Sequence, residues 1–94
     1  MKARRIATRS SKETWLVYGA GTNQVPVIRA AKRRDARVIA VDQNRHSPGA
    51  ELADRFLCMS LRDHDAIADG VAGEPLTGIV ARVTDRAALD SAQR

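Results

Sequence analysis

Along the chain, short apolar runs alternate with stretches in which apolar positions recur every three or four residues. Residues 14–18 form the first run, rich in β-branched and aromatic types, and read as a strand. Gly19-Ala20-Gly21 follows it. Thr22 or Asn23 can then cap a helix, with Pro26 in its first turn, where a missing N–H does no harm. Val27, Ile28 and Ala31 give that helix an apolar face, while Arg29, Lys32 and Arg33 point away from it. Basic residues near its end suit the helix dipole. Residues 35–37 turn the chain into a second strand, 38–41, which ends at Asp42. "QNRHSPG" reads as a loop, punctuated by Ser-Pro-Gly. Residues 50–54 read as one helical turn and residues 56–59 as a third strand. A helix is expected over 63–71, with Ala66, Ile67 and Val71 inward. "AGEPLTG" is a loop, and residues 79–83 a fourth strand. Thr84-Asp85 can cap a last helix, whose apolar side is Ala87, Ala88, Leu89 and Ala92.

This order is βαβαβαβα. It predicts an α/β fold: a Rossmann-like open parallel sheet, strand order 3-2-1-4, with helices on both faces. Ligands of such sheets sit at the C-terminal ends of the strands, near the switch between the first and fourth. Those ends carry Gly19, Ala20, Gly21, Asp42 and Thr84-Asp85-Arg86.

Composition narrows the picture. The chain has 94 residues, the size of one domain. Aromatic residues are only 3%, so the core has to be aliphatic. The net charge of +5 invites a nucleic-acid reading, but its distribution argues against one. Lys2, Arg4, Arg5, Arg9 and Lys12 all precede the first acidic residue, Glu13, and the remainder is balanced. Residues 1–12 are therefore expected to be a disordered basic tail, with no aromatic platform for bases. No apolar stretch approaches the about 20 residues of a membrane span. The N-terminus lacks the apolar segment of a secretory signal. The lone Cys58 reads as a buried thiol in a reduced, cytoplasmic protein.

Three places hold candidate chemistry. In the glycine loop, Gly19 permits a sharp turn, Gly21 lets a ligand approach the backbone, and the N–H groups beyond, with Thr22 and Asn23, favour an anion. A dinucleotide fingerprint would need a third glycine where Gln24 stands. A dinucleotide loop, another anion loop and a plain strand-to-helix turn all stay open. Asp42 stands where a Rossmann acid would hold a ribose hydroxyl, or it is a solvated strand end. Thr84, Asp85 and Arg86 offer helix-start N–H groups, a hydroxyl and a guanidinium able to hold a carboxylate or phosphate, or only a cap. Arg82 either lines the same crevice or snorkels outward. Asp63-His64-Asp65 reads as a capped helix start, since neighbouring helix residues point in different directions. No catalytic nucleophile–base pair and no metal-ligand spacing is present.

"LVYGAGTNQVPVIRAAKRRDARVIAVDQNRHSPGAELADRF" resembles the N-terminal, pre-ATP-grasp domain of the ATP-grasp ligases (biotin-carboxylase-N-like). That family carries a strand, a G-x-G loop, a "Q-x-P-x-I-x-A-A" helix, a "V-I-x-V-D" strand and a "P-G-x-x-L-A-D" segment. Here these are Gln24, Pro26, Ile28, Ala30 and Ala31; Val38, Ile39, Val41 and Asp42; and Pro48, Gly49, Leu52, Ala53 and Asp54. "GIVARVTDRAAL" is similar to the family's fourth strand and its "D-R-A" turn. The resemblance implies that residues 13–94 form a Rossmann-like domain that binds the substrate of an ATP-dependent carboxylate–amine or related ligase. Its substrate-binding residues would be Gly19, Ala20, Gly21, Thr22, Asn23, Asp42, Thr84, Asp85 and Arg86. ATP and magnesium are implied for the full ligase, not for this chain alone, which is expected to be inactive by itself. The implied partners are an ATP-grasp module absent from this chain, in the same polypeptide or a separate subunit, and a small anionic or amino substrate; a homodimer stays open. The alternative is a small Rossmann module that binds a nucleotide of NAD type without catalysis.

Overall fold

Four short strands lie side by side, all parallel, in the computed structural model, which describes residues 12–81. They are β1 (Thr14–Tyr18), β2 (Arg37–Asp42), β3 (Arg55–Cys58) and β4 (Gly78–Val80). Their order is β3-β2-β1-β4, the predicted one. Helix α1 (Val25–Arg33) joins β1 to β2, and α2 (His64–Gly70) joins β3 to β4. The predicted helix beyond residue 84 lies outside the described residues, as do residues 1–11.

The apolar runs work because the two central strands are covered on both faces. Alternate side chains point to opposite sides. Trp15 and Val17 of β1, Val38 and Ala40 of β2 and Val80 of β4 pack with Val27, Ile28 and Ala31 of α1. Leu16, Ile39, Val41 and Leu57 pack on the other side with Ile67 of α2. Each fully buried aliphatic side chain stabilises by about 1.5–3 kcal/mol. The register places Trp15 beside Gly78, where a Cβ would come within 2.5 Å of the Trp15 ring. Only glycine lets β4 pair so close to that indole.

Helix α1 ends in a six-residue motif. Ala36 N–H donates to the Ala31 carbonyl (3.0 Å) and Asp35 N–H to that of Lys32 (2.9 Å). Asp35 takes a positive φ of 60°, which a short polar residue tolerates. The start of the helix differs from expectation. Thr22 and Asn23 do not cap it; they belong to a 3-10 turn, Thr22–Gln24, and Gln24 occupies the cap position without a side-chain capping bond. Pro26 falls in the first turn, as its missing donor allows.

Two further differences concern the margins of the sheet. The fourth strand, Gly78–Val80, starts one residue before the expected 79, because Gly78 pairs with Trp15; residues 82 and 83 of the expected strand lie outside the described residues. Cys58 is exposed, not buried. It closes an edge strand at its C-terminal end, and its Sγ meets only the Gln43 carbonyl at 3.5 Å. At the opposite ends of the strands, Glu74 bridges Arg37 (3.1 Å) and Arg55 (3.2 Å), fastening the loop after α2 to the starts of β2 and β3.

Candidate functional site

The C-terminal ends of β1 and β2 are tied together by the glycine loop. Gly19 leaves β1 with its N–H still donating to the Val41 carbonyl of β2, 2.6 Å away. Its φ is +100°, a conformation that L side chains rarely adopt. A Cβ there would also stand 3.0 Å from the Gln24 side chain. Gly21, by contrast, is extended (φ −77°, ψ −174°), which any residue can adopt. The conformational need for glycine is therefore at Gly19.

Ala20 is fully buried, and both its backbone groups are paired. Its N–H donates to Asp42 Oδ2 at 2.9 Å. Its carbonyl accepts from Gly49 N–H at 2.7 Å. A Cβ on Gly49 would lie 2.8 Å from the Ala20 carbonyl oxygen and 2.8 Å from Ile28 Cδ1. Glycine is required there for the Ser47-Pro48-Gly49 segment to dock against the loop.

Asp42 is the strut of this end of the sheet. Its Oδ1 accepts from Asn44 N–H at 3.0 Å, while Oδ2 holds Ala20. Burial pushes the carboxyl up. Hydrogen bonds from the N–H groups of Asn44 and Ala20 lead the effects that outweigh it and hold the group below its ordinary value. The next turn repeats the device: Asn44 Oδ1 accepts from His46 N–H (3.0 Å), and the buried Ser47 donates its hydroxyl to the Asn44 carbonyl (2.6 Å). Asn44, Ser47 and Gly49 were not among the expected site residues. The signal for Asn44 was the spacing of Asp42 and Asn44, each two residues before the N–H it accepts.

Of the expected site residues, the structure brings together Gly19, Ala20, Gly21 and Asp42, with Thr22 and Asn23 exposed beside them. Thr84, Asp85, Arg86 and Arg82 lie outside the described residues. The pairing of β1 with β4 puts the end of β4 next to this loop. Asp63 caps α2, accepting from Ala66 N–H at 3.2 Å, and His64 and Asp65 are exposed. Lys32 is committed elsewhere. Its Nζ lies 2.5 Å from Asp54 Oδ1, and Asp54 Oδ2 accepts from Val38 N–H at the start of β2. The described residues gather no carboxylate set for magnesium. Lys32 is paired, both oxygens of Asp42 are turned to backbone donors, and no three His, Cys, Asp or Glu side chains gather among the described residues. Among them also, no helix is long and apolar enough to cross a membrane.

A parallel sheet in this order, with a G-x-G loop braced by the acid of the neighbouring strand, defines the class as a Rossmann-like α/β domain. Within it, the chain resembles the N-terminal, pre-ATP-grasp domain of ATP-grasp ligases. N5-carboxyaminoimidazole ribonucleotide synthetase from Thermotoga maritima superposes with a TM-score of 0.59 at 26% identity, over 65% of this chain and 17% of that one. The ADP complex of an enzyme of the same name matches with a TM-score of 0.65 at 26% identity, over 74% and 18%. Phosphoribosylglycinamide synthetase from Anaerococcus prevotii matches with a TM-score of 0.63 at 29% identity, over 76% and 18%. The chain thus spans less than a fifth of each of these proteins. No known family profile and no curated protein matches it.

Proposed function

We propose that this chain is the substrate-binding N-terminal domain of an ATP-dependent carboxylate–amine or related ligase. It would hold a small anionic or amino substrate at the glycine loop, with Gly21, Thr22, Asn23 and Arg86 as contacts. An ATP-grasp module, in the same polypeptide or as a separate subunit, would supply ATP and magnesium. The observation that carries this reading is the braced loop, Gly19 to Gly21 on Asp42 and Gly49, in a sheet that superposes on three ligases at 26–29% identity. Phosphoryl transfer from ATP needs cations positioned around the phosphates. Among the described residues both lysines, Lys12 and Lys32, are paired with carboxylates away from the loop, so the chemistry is assigned to the partner module.

The alternative, a dinucleotide module of NAD type, draws less support. Its ribose acid would be Asp42, whose two oxygens already accept from Ala20 and Asn44. The test is an ATP hydrolysis and ligation assay on the purified chain, then on the chain with an ATP-grasp partner. Activity only on reconstitution is the expected outcome. Turnover by the chain alone overturns the proposal, as does tight NAD binding with no effect of the partner.

A further inference from the structure

The charges of the chain are sorted between its helices. Those of α2 are the acids Asp65 and Asp69 beside His64. Those of α1 are all basic: Arg29, Lys32 and Arg33, each exposed. The three line a groove of about 490 Å³ with Leu52, which is half-buried and packs on the core that α1 covers. Glu51, next to Leu52, is not among the lining residues. Lys32 is neutralised by Asp54. Among the described residues, no ion pair engages Arg29 or Arg33. Four residues apart on one helix, their side chains share a face. The groove therefore carries two unpaired positive charges beside one apolar side chain, away from the glycine loop.

We propose that this groove docks an acidic segment of another protein: a short polypeptide stretch with carboxylates for Arg29 and Arg33 and one aliphatic side chain that seats on Leu52. A guanidinium group suits a carboxylate, which it can hold through two donors. Exposed ion pairs contribute little each, so the charges select the partner and the apolar contact adds the affinity. A nucleic acid fits less well. Its phosphates could meet the arginines, but the lining has no aromatic residue for a base to stack on, and Leu52 would stay uncovered. A second copy also fits less well. Its exposed large apolar side chains among the described residues are Leu61 and Ile79. Leu61 stands beside Arg62, a like charge for the groove, and Ile79 has no acid within two residues.

Fluorescence anisotropy on the whole chain tests this with three probes. They are a glutamate-rich peptide with one central leucine, the same peptide with alanine in that place, and an oligouridylate of equal charge. The leucine peptide should bind about threefold or more tighter than the alanine peptide. Its affinity should fall with added salt. Arg29→Gln together with Arg33→Gln should weaken it about fivefold or more. Circular dichroism checks that this variant is folded, and the comparison of peptides on the unmodified chain needs no variant. No binding of the leucine peptide at low salt overturns the proposal, as does equal binding of the two peptides. Unchanged affinity in the double variant overturns it too, and moves the binding to other basic residues. Tighter binding of the oligouridylate assigns the groove to nucleic acid instead. Sedimentation at low salt completes the test. A monomer is expected, and self-association that the double variant abolishes would give the groove to a second copy and overturn the proposal.

Discussion

Two glycines two residues apart do different work in this loop, and substitution can separate them. Gly19 has a positive φ and the Gln24 side chain against it; Gly21 has an ordinary extended backbone and only Gln24 Oε1 nearby, 3.4 Å from where a Cβ would stand. Gly19→Ala should destabilise by about 1–3 kcal/mol from backbone strain alone. Gly21→Ala should stay within about 0.5 kcal/mol of the unmodified chain. Chemical denaturation of both variants checks the pair, and equal losses would contradict the assignment. Asp42 gives a second residue-scale test. Asp42→Asn can offer one oxygen, not two, to the Ala20 and Asn44 donors. Leaving one of them unpaired should cost about 1–3 kcal/mol. If thermal melting shows no loss, Asp42 is not a strut.

At the scale of elements, the fold rests on close approaches made by small residues in segments far apart in sequence. Gly49 meets Ala20 and Ile28, and Gly78 meets the Trp15 ring. Gly49→Ala should cost about 1–3 kcal/mol by overpacking. Its signature beyond stability should be altered amide signals at Gly19, Ala20 and Gly21, since the Ser47-Pro48-Gly49 segment would lift from the loop. Chemical-shift changes confined to residues 47–54 would contradict that coupling. These contacts also mark how far the sequence could be read. The strands and their order were legible because a doubly covered parallel sheet reads as continuous apolar runs. That the residues at the ends of β1 and β2 come together was legible for the same topological reason. What stayed hidden was non-local. Nothing in "SPG" says that its glycine packs on Ala20, and nothing in "GTNQ" says that the amide turns back to Gly21 and displaces the cap from Thr22 and Asn23. Cys58 sat in an apolar run, yet its strand is an edge strand, and that exposed it.

At the scale of the molecule, carboxylates hold both ends of the sheet. Asp42 braces the C-terminal ends of the strands, Asp54 ties Lys32 to the start of β2, and Glu74 joins Arg37 to Arg55. All three are held below their ordinary values in the folded chain. For Asp42 and Asp54 burial opposes this, and hydrogen bonds from backbone N–H groups and, at Asp54, from Lys32 outweigh it. For Glu74 the hydrogen bond from Arg37 leads, with Arg55 adding to it. A carboxyl lowered by folding binds its proton more readily in the unfolded chain. Its stabilisation is complete above the unfolded-state value and drains away as pH falls through the folded one. The melting temperature should therefore hold steady from neutral pH down to the ordinary carboxylate range and fall below it. Glu74 is bound to two partly exposed arginines, so its share should shrink with added salt. Asp42 holds backbone donors, and its share should not. The measurement is a series of thermal melts across acid pH, at low and high salt, for the unmodified chain, Asp42→Asn and Glu74→Gln. The expected result is a shallower acid loss in each variant, with only the Glu74 difference reduced by salt. An acid profile identical in all three would remove these carboxylates from the account of stability.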